Sequence, residues 1–114
     1  MARTSVATQQ IVKTGLAPAL TAPIIDGDII DTGRVFLRVD NGGGAAITVT
    51  VQTPVQVDGL DLADLTVSVP ASGTRLIGPL SASTFGRPSG GADSGRAYVD
   101  YSSVTSVTRG VFAL

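Results

Sequence analysis

"RVFLRVDNGGGAAITVTVQTP", Arg34 to Pro54, decides the fold class. Val35, Leu37 and Val39 alternate with Phe36, Arg38 and Asp40, and Ile47, Val49 and Val51 alternate with Thr48, Thr50 and Gln52. A period of two sends successive side chains to opposite faces of a strand, so each run buries one row and offers the other to solvent or a partner. Between the runs, Asn41-Gly42-Gly43-Gly44 supplies residues that tolerate positive φ, which predicts a hairpin. Pro54 ends the second strand because it has no N–H to donate to a ladder.

Working outward, the same alternation recurs. Leu65, Val67 and Val69 alternate with Thr66 and Ser68 up to Pro70, and Ala71-Ser72-Gly73 turns the chain into "TRLIGP". There Leu76 and Ile77 are adjacent, and the pattern leaves open which of them faces in. From Gly95 to Leu114 two strands are expected, one with Ala97, Val99 and Tyr101 on a single face and one running from about Val104. About 6–8 short strands separated by turn signals predict an all-β, single-domain antiparallel β-sandwich, jelly-roll or immunoglobulin-like, with an extended N-terminal arm.

Composition supports this. A chain of 114 residues is one domain with one core. Every acidic residue is Asp, and Lys13 is the sole lysine beside seven arginines. Helix surfaces favour Glu and Lys, whereas Asp and Gly belong to turns and Val and Thr to strands. The net charge of -1 supplies no basic field for nucleic acid. Without Cys there is neither a disulfide framework nor a thiolate metal site. "MARTSVATQQIVK" lacks the apolar core of a signal peptide, and no stretch approaches about 18 apolar residues, so neither secretion nor a membrane span is expected.

Three segments depart from the strand pattern. Residues 1–33 form the predicted arm and first strand, ahead of a sandwich domain over 34–114. The arm carries Leu16, Leu20, Ile24, Ile25, Ile29 and Ile30 among prolines, and such apolar residues either wrap the chain's own sandwich or lie on another subunit. "PVQVDGLDLADL", Pro54 to Leu65, reads as a long connection whose leucines plug a sheet edge, with room for a short helical turn. "SASTFGRPSGGADSG", Ser81 to Gly95, reads as an exposed, mobile loop in which Phe85 and Arg87 are the candidate binding side chains.

Residues that carry chemistry are scarce. The chain has no His, which excludes every His-based triad or metal site, and a Ser-Lys pair would have to use Lys13 in the arm. Asp26, Asp28 and Asp31, and again Asp58, Asp61 and Asp64, make oxygen-rich clusters of a kind that can hold Ca²⁺. Neither matches the twelve-residue calcium loop or supplies its closing Glu, so they read as turn aspartates and helix caps. The glycine runs at Gly42 to Gly44 and Ser89 to Gly91 lack the Lys-Ser/Thr and the helix of a phosphate loop. The arginines, Arg109 among them, read as solvated strand edges or as interface residues. No catalytic residue, cofactor or metal is assigned, and a scaffold or binding module is expected.

"RVFLRVDNGGGAAITVTVQTP", "DLTVSVPASGTRLIGPL" and "RAYVDYSSVTSVTRGVFAL" together resemble small virion structural proteins of tailed bacteriophages, over roughly Arg34 to Leu114 and more loosely at "QIVKTGLAP". The shared pieces are an F-L-x-V-x-N strand, an A-I-T-V-T-V-Q-T-P strand, a V-P-A-x-G turn leading to I-G-P, and a closing Y-V-D-Y-S-S-V-T strand pair. The resemblance implies a non-enzymatic capsid decoration protein, made in the host bacterial cytoplasm and placed on the virion head surface. Its partners would be the major capsid protein and copies of itself, as a homotrimer, with no nucleic acid, membrane or small-molecule substrate. The arm, Leu16 to Ile30, is expected to lie across a capsid subunit or a neighbouring copy, and removing residues 1 to 31 to leave a folded sandwich. A head-tail connector or tail component is the alternative within the same setting. A carbohydrate- or cell-surface-binding module is the alternative outside it, disfavoured because sugar sites present exposed Trp or Tyr and this chain has no Trp and two Tyr.

Overall fold

A computed structural model describes residues 3–54, 56–61, 63–87 and 94–113. Apart from one helical turn, α1 (Ala82–Phe85), its regular elements are strands. The larger sheet contains β1 (Thr4–Ser5), β3 (Asp28–Ile30), β10 (Ala97–Tyr101), β5 (Ile47–Val51) and β8 (Leu65–Val69), in that order. A smaller sheet contains β2 (Thr8–Gln10), β11 (Val107–Ala113), β4 (Val35–Asn41) and β9 (Gly73–Ile77). The two strands β6 (Gln56–Val57) and β7 (Leu60–Asp61) pair only with each other.

Both sheets contribute to one core. Val35, Leu37 and Val39 of β4 and Val111 of β11 meet Val49 and Val51 of β5, Val99 of β10 and Val69 of β8. Each is at most 5% exposed, as the period-two alternation requires of the inward row. Ile77 joins this core at 4% exposure while Leu76 points outward at 64%, which settles the adjacent pair.

Four expectations are corrected. The sheets are mixed and not purely antiparallel, because β1 runs parallel to β3 and β2 parallel to β11. The predicted hairpin across the glycine run is instead a corner. β4 pairs with β11 and β9, β5 pairs with β10 and β8, and the intervening loop carries the chain from one layer to the other. Asn41, 2% exposed, fixes that corner: its Nδ2 donates to Ala45 O at 2.8 Å, with Val69 O and Pro70 O within 3.3 Å, and its Oδ1 accepts from Gly43 N at 3.0 Å. None of Gly42, Gly43 and Gly44 takes a positive φ. Gly42 sits close to the neighbouring turn, where a Cβ would lie a tight 3.2 Å from Ser106 O.

Third, the connection after Pro54 is a true hairpin. Val57 pairs with Leu60 across Asp58-Gly59, whose φ values of 52° and 78° give the mirror-image turn that Asp-Gly favours. Leu60 plugs no sheet edge; it is 72% exposed at the tip. Leu62 lies outside the described residues. Fourth, the segment after Ser81 is ordered where it is described: Ala82–Phe85 makes a helical turn and Phe85 packs half-buried against the core. Arg87 N donates to Arg96 O at 2.8 Å, which closes the base of the loop, while residues 88–93 lie outside the described residues.

Candidate interaction surface

The arm is built into both layers. β1 pairs with β3, β3 pairs with β10, and β2 pairs with β11, so the arm supplies strands to each sheet. Its anchor is polar. Asp28, on β3 and fully buried, receives Arg109 Nε at 2.7 Å and Arg109 Nη2 at 2.9 Å, a bidentate ion pair joining the two layers through the core. Tyr101 Oη donates to Asp28 Oδ2 at 2.5 Å. Arg109 Nη1 donates to Thr21 O at 3.2 Å and to Thr21 Oγ1, and the Thr21 and Arg109 backbones exchange N–H···O bonds. Among the described residues no buried side-chain nitrogen or oxygen lacks a partner.

The electrostatics follow from this geometry. Burial, reinforced by the negative charge of Asp28, pushes the Tyr101 hydroxyl well above the ordinary tyrosine range. The hydrogen bond to Asp28 holds the Arg109 guanidinium above its usual value, against the opposing effect of burial. Asp28 is thus neither a turn aspartate nor a metal ligand, and Arg109 is not a solvated strand edge. Asp31 is engaged separately: it accepts from Thr8 Oγ1 at 2.5 Å and from Arg96 Nε at 3.2 Å. Asp64 accepts from Thr53 N at 3.0 Å. Among the described residues no three acidic side chains converge as metal ligands would.

From Thr21 back toward β2, the arm lies on the outward face of the smaller sheet. Gln9 holds it there through paired bonds with Ala19, 2.7 Å to its O and 2.9 Å from its N. Gly110 lets it approach, because a Cβ there would meet Ala19 O and Leu20 Cδ2, each at 3.0 Å. Phe112, on the outward row of β11, is only 4% exposed and packs at a centroid distance of 5.7 Å from Phe36. The arm's first half therefore wraps the chain's own body.

Two open apolar grooves share Phe36 and Leu76 on this face. One, about 470 Å³, lies between Gly33-Arg34 and Gly78-Pro79; the other, about 320 Å³, lies under Ile11, Val12 and Leu16. Among the described residues the large apolar side chains left exposed are Ile11, Val12, Ile24, Ile25, Leu60 and Leu76. Of the arm residues proposed for partner binding, only Ile24 and Ile25 stand well out of the surface, at 44% and 60%. Leu16, Leu20 and Ile29 are half-buried. Ile30 is a core residue at 0% exposure and offers no surface to a partner, contrary to the expectation for the arm. Phe85 is tied to the core, and Arg87 is engaged by its own chain: its guanidinium sits 3.9 Å from the centre of the Tyr98 ring and donates to Gln52 Oε1 at 3.2 Å.

Ile11, Val12 and Leu76 were missed by sequence reasoning, although Leu76 could have been found from Arg75-Leu76-Ile77, where one of two adjacent apolar residues must face out of a two-layer body. No protein-family model matches the chain, and comparison with curated proteins and with solved structures gives no significant match.

Proposed function

We propose that this chain is a non-enzymatic structural protein of a tailed-phage virion, a capsid decoration protein that binds the outside of the head shell through its arm. One observation carries the reading: of the six large apolar side chains left exposed among the described residues, Ile11, Val12, Ile24 and Ile25 belong to the arm. The arm is pinned by the Arg109–Asp28 pair, by the pairing of β2 with β11 and by the Gln9–Ala19 bonds, so a partner binds a preordered surface and little chain ordering opposes association. The resemblance of Arg34 to Leu114 to phage virion proteins supplies the setting. Many identical copies on a shell would also stabilise each small domain, since binding favours the folded form.

The strand order supports a jelly-roll reading in preference to an immunoglobulin-like one. Counting β2, β3, β4, β5, β8, β9, β10 and β11 as eight strands, the first pairs with the last, the second with the seventh, the third with the sixth and the fourth with the fifth. That wrapping belongs to jelly rolls, which recur in viral shells. β2 departs from it by running parallel to β11.

The test is binding to empty heads. Ile24→Ser/Ile25→Ser and Ile11→Ser/Val12→Ser chains should keep the wild-type circular dichroism and lose most of their affinity for the shell. Undiminished binding by both would refute the role given to the arm. Copy number on the particle separates decoration from a connector ring. A sugar-binding reading finds no support at Tyr98, whose ring is approached by the guanidinium groups of Arg3 and Arg87, or at the buried Tyr101.

A further inference from the structure

Among the described residues two exposed leucines remain once the arm is accounted for, and they lie on different elements. Leu76, 64% exposed, lines the groove of about 470 Å³ together with Phe36, Pro79 and Arg34. Leu60, 72% exposed, stands at the tip of the β6–β7 hairpin beside Asp58. One is the wall of a concave apolar site and the other crowns a narrow protrusion.

Their charges are complementary. Arg34 and Asp58 are both exposed, and neither has an ion pair or side-chain hydrogen bond among the described residues. Arg38, which lines the neighbouring groove, is already held by Asp40 at 3.1 Å. A leucine beside an uncommitted anion thus matches an apolar groove beside an uncommitted cation. The hairpin is also preshaped, since Asp58-Gly59 fixes its turn and only side chains need ordering on contact.

We propose that the β6–β7 hairpin tip of one copy docks in the Arg34–Leu76 groove of a second copy, with Leu60 entering between Phe36, Leu76 and Pro79 and Asp58 meeting Arg34. The contact joins two different patches, so it is made twice in a two-fold dimer or once per neighbour around a ring. Intramolecular docking is not what the structure shows, because Leu60 and Leu76 are both exposed within one chain. The inference deepens the adhesive reading above by naming how copies meet, but it needs no shell, and the two can fail separately.

The experiment is light scattering and sedimentation equilibrium of the full chain, without heads, over a concentration series to the millimolar range. Wild type should show a mass above the 11.5 kDa monomer. Arg34→Asp and Asp58→Arg should each weaken association by about tenfold or more, and the double swap in one chain should restore it. Leu60→Ser should weaken it as much as Leu76→Ser does, and high salt should weaken wild type as well. Arg34→Asp, Leu60→Ser and Leu76→Ser should keep the wild-type urea midpoint, because these side chains are exposed; Asp58→Arg sits at a φ of 52°, and for it the double swap controls for the altered turn. A monomer throughout the range overturns the proposal. So does an oligomer that ignores the charge changes, or one that both single swaps weaken and the double swap fails to restore.

Discussion

The core and the outer face of the smaller sheet each hold a group of the opposite polarity. Within the apolar core lie a carboxylate, a guanidinium and a phenol; on the outer face lie Phe36, Phe112, Leu76 and the arm's Ile11 and Val12. The inner group is closed: Asp28 accepts from Arg109 and Tyr101, and Arg109 passes its remaining donor to Thr21. The outer group is open, with grooves on both sides of Leu76. Buried polar groups persist only when fully partnered, whereas exposed apolar groups persist when something else comes to cover them. The first region holds the arm to the body, and the second leaves the body an open apolar face.

The largest expected effect comes from breaking the closed group. Asp28→Ala leaves the Arg109 charge buried without its partner, and such a loss costs about 3–5 kcal/mol. Against a total of about 5–15 kcal/mol for an ordinary domain, this should shift the urea midpoint drastically and free the arm to proteolysis. Replacing the whole group, as Asp28→Leu/Tyr101→Phe/Arg109→Met, should recover most of the loss, because no charge is then stranded. A fall of under about 1 kcal/mol in the single variant would show that the ion pair is not the anchor. The same arithmetic makes removal of residues 1 to 31 a poor test of binding, since it takes Asp28 and Ile30 out of the core.

This difference also explains what was legible in the sequence. Alternation marked the inward rows of β4, β5, β8 and β10 without long-range information, because a strand's two faces are a local property. Pairing was not legible. β4 and β5 follow one another with a glycine run between them, yet they lie in different layers, and the choice is made by the buried Asn41 bonding across the corner to Val69 and Pro70. Asp28 and Arg109 are 81 residues apart, and neither carries a local signature that separates a core ion pair from two surface charges. Of the exposed apolar residues, the Ile24-Ile25 pair was visible as apolar residues beside proline. Ile30, five residues on from Ile25, looked the same and turned inward because β3 pairs with β10 there.

A smaller effect tests the phenol. Tyr101→Phe removes one donor from a carboxylate that keeps both Arg109 bonds, so it should cost about 1–2 kcal/mol near neutrality. The pH dependence sharpens the result. The Tyr101 hydroxyl is raised above the usual value of about 10, so its contribution to stability is fully present below that pH and is lost as pH climbs through the folded-state value. Wild type should therefore lose stability progressively in urea titrations above pH about 10, and Tyr101→Phe should show a shallower alkaline decline. Parallel curves for the two proteins would mean that the hydroxyl is not protected by the fold.

The smallest effect is expected at the outer face, and its size is the point. Leu76 and Ile77 are sequence neighbours, but only Ile77 is in the core. Truncating a buried isoleucine to alanine costs about 2–5 kcal/mol, because transfer free energy is lost and a cavity is left. Leu76→Ala removes a side chain that is 64% exposed and leaves no enclosed void, so the monomer should change by no more than about 0.5 kcal/mol in urea denaturation. Measured at low concentration, where copies are apart, a loss above about 1 kcal/mol would place Leu76 in the chain's own packing. The groove would then be part of the core's edge, and the contrast between a closed interior and an open face would not hold.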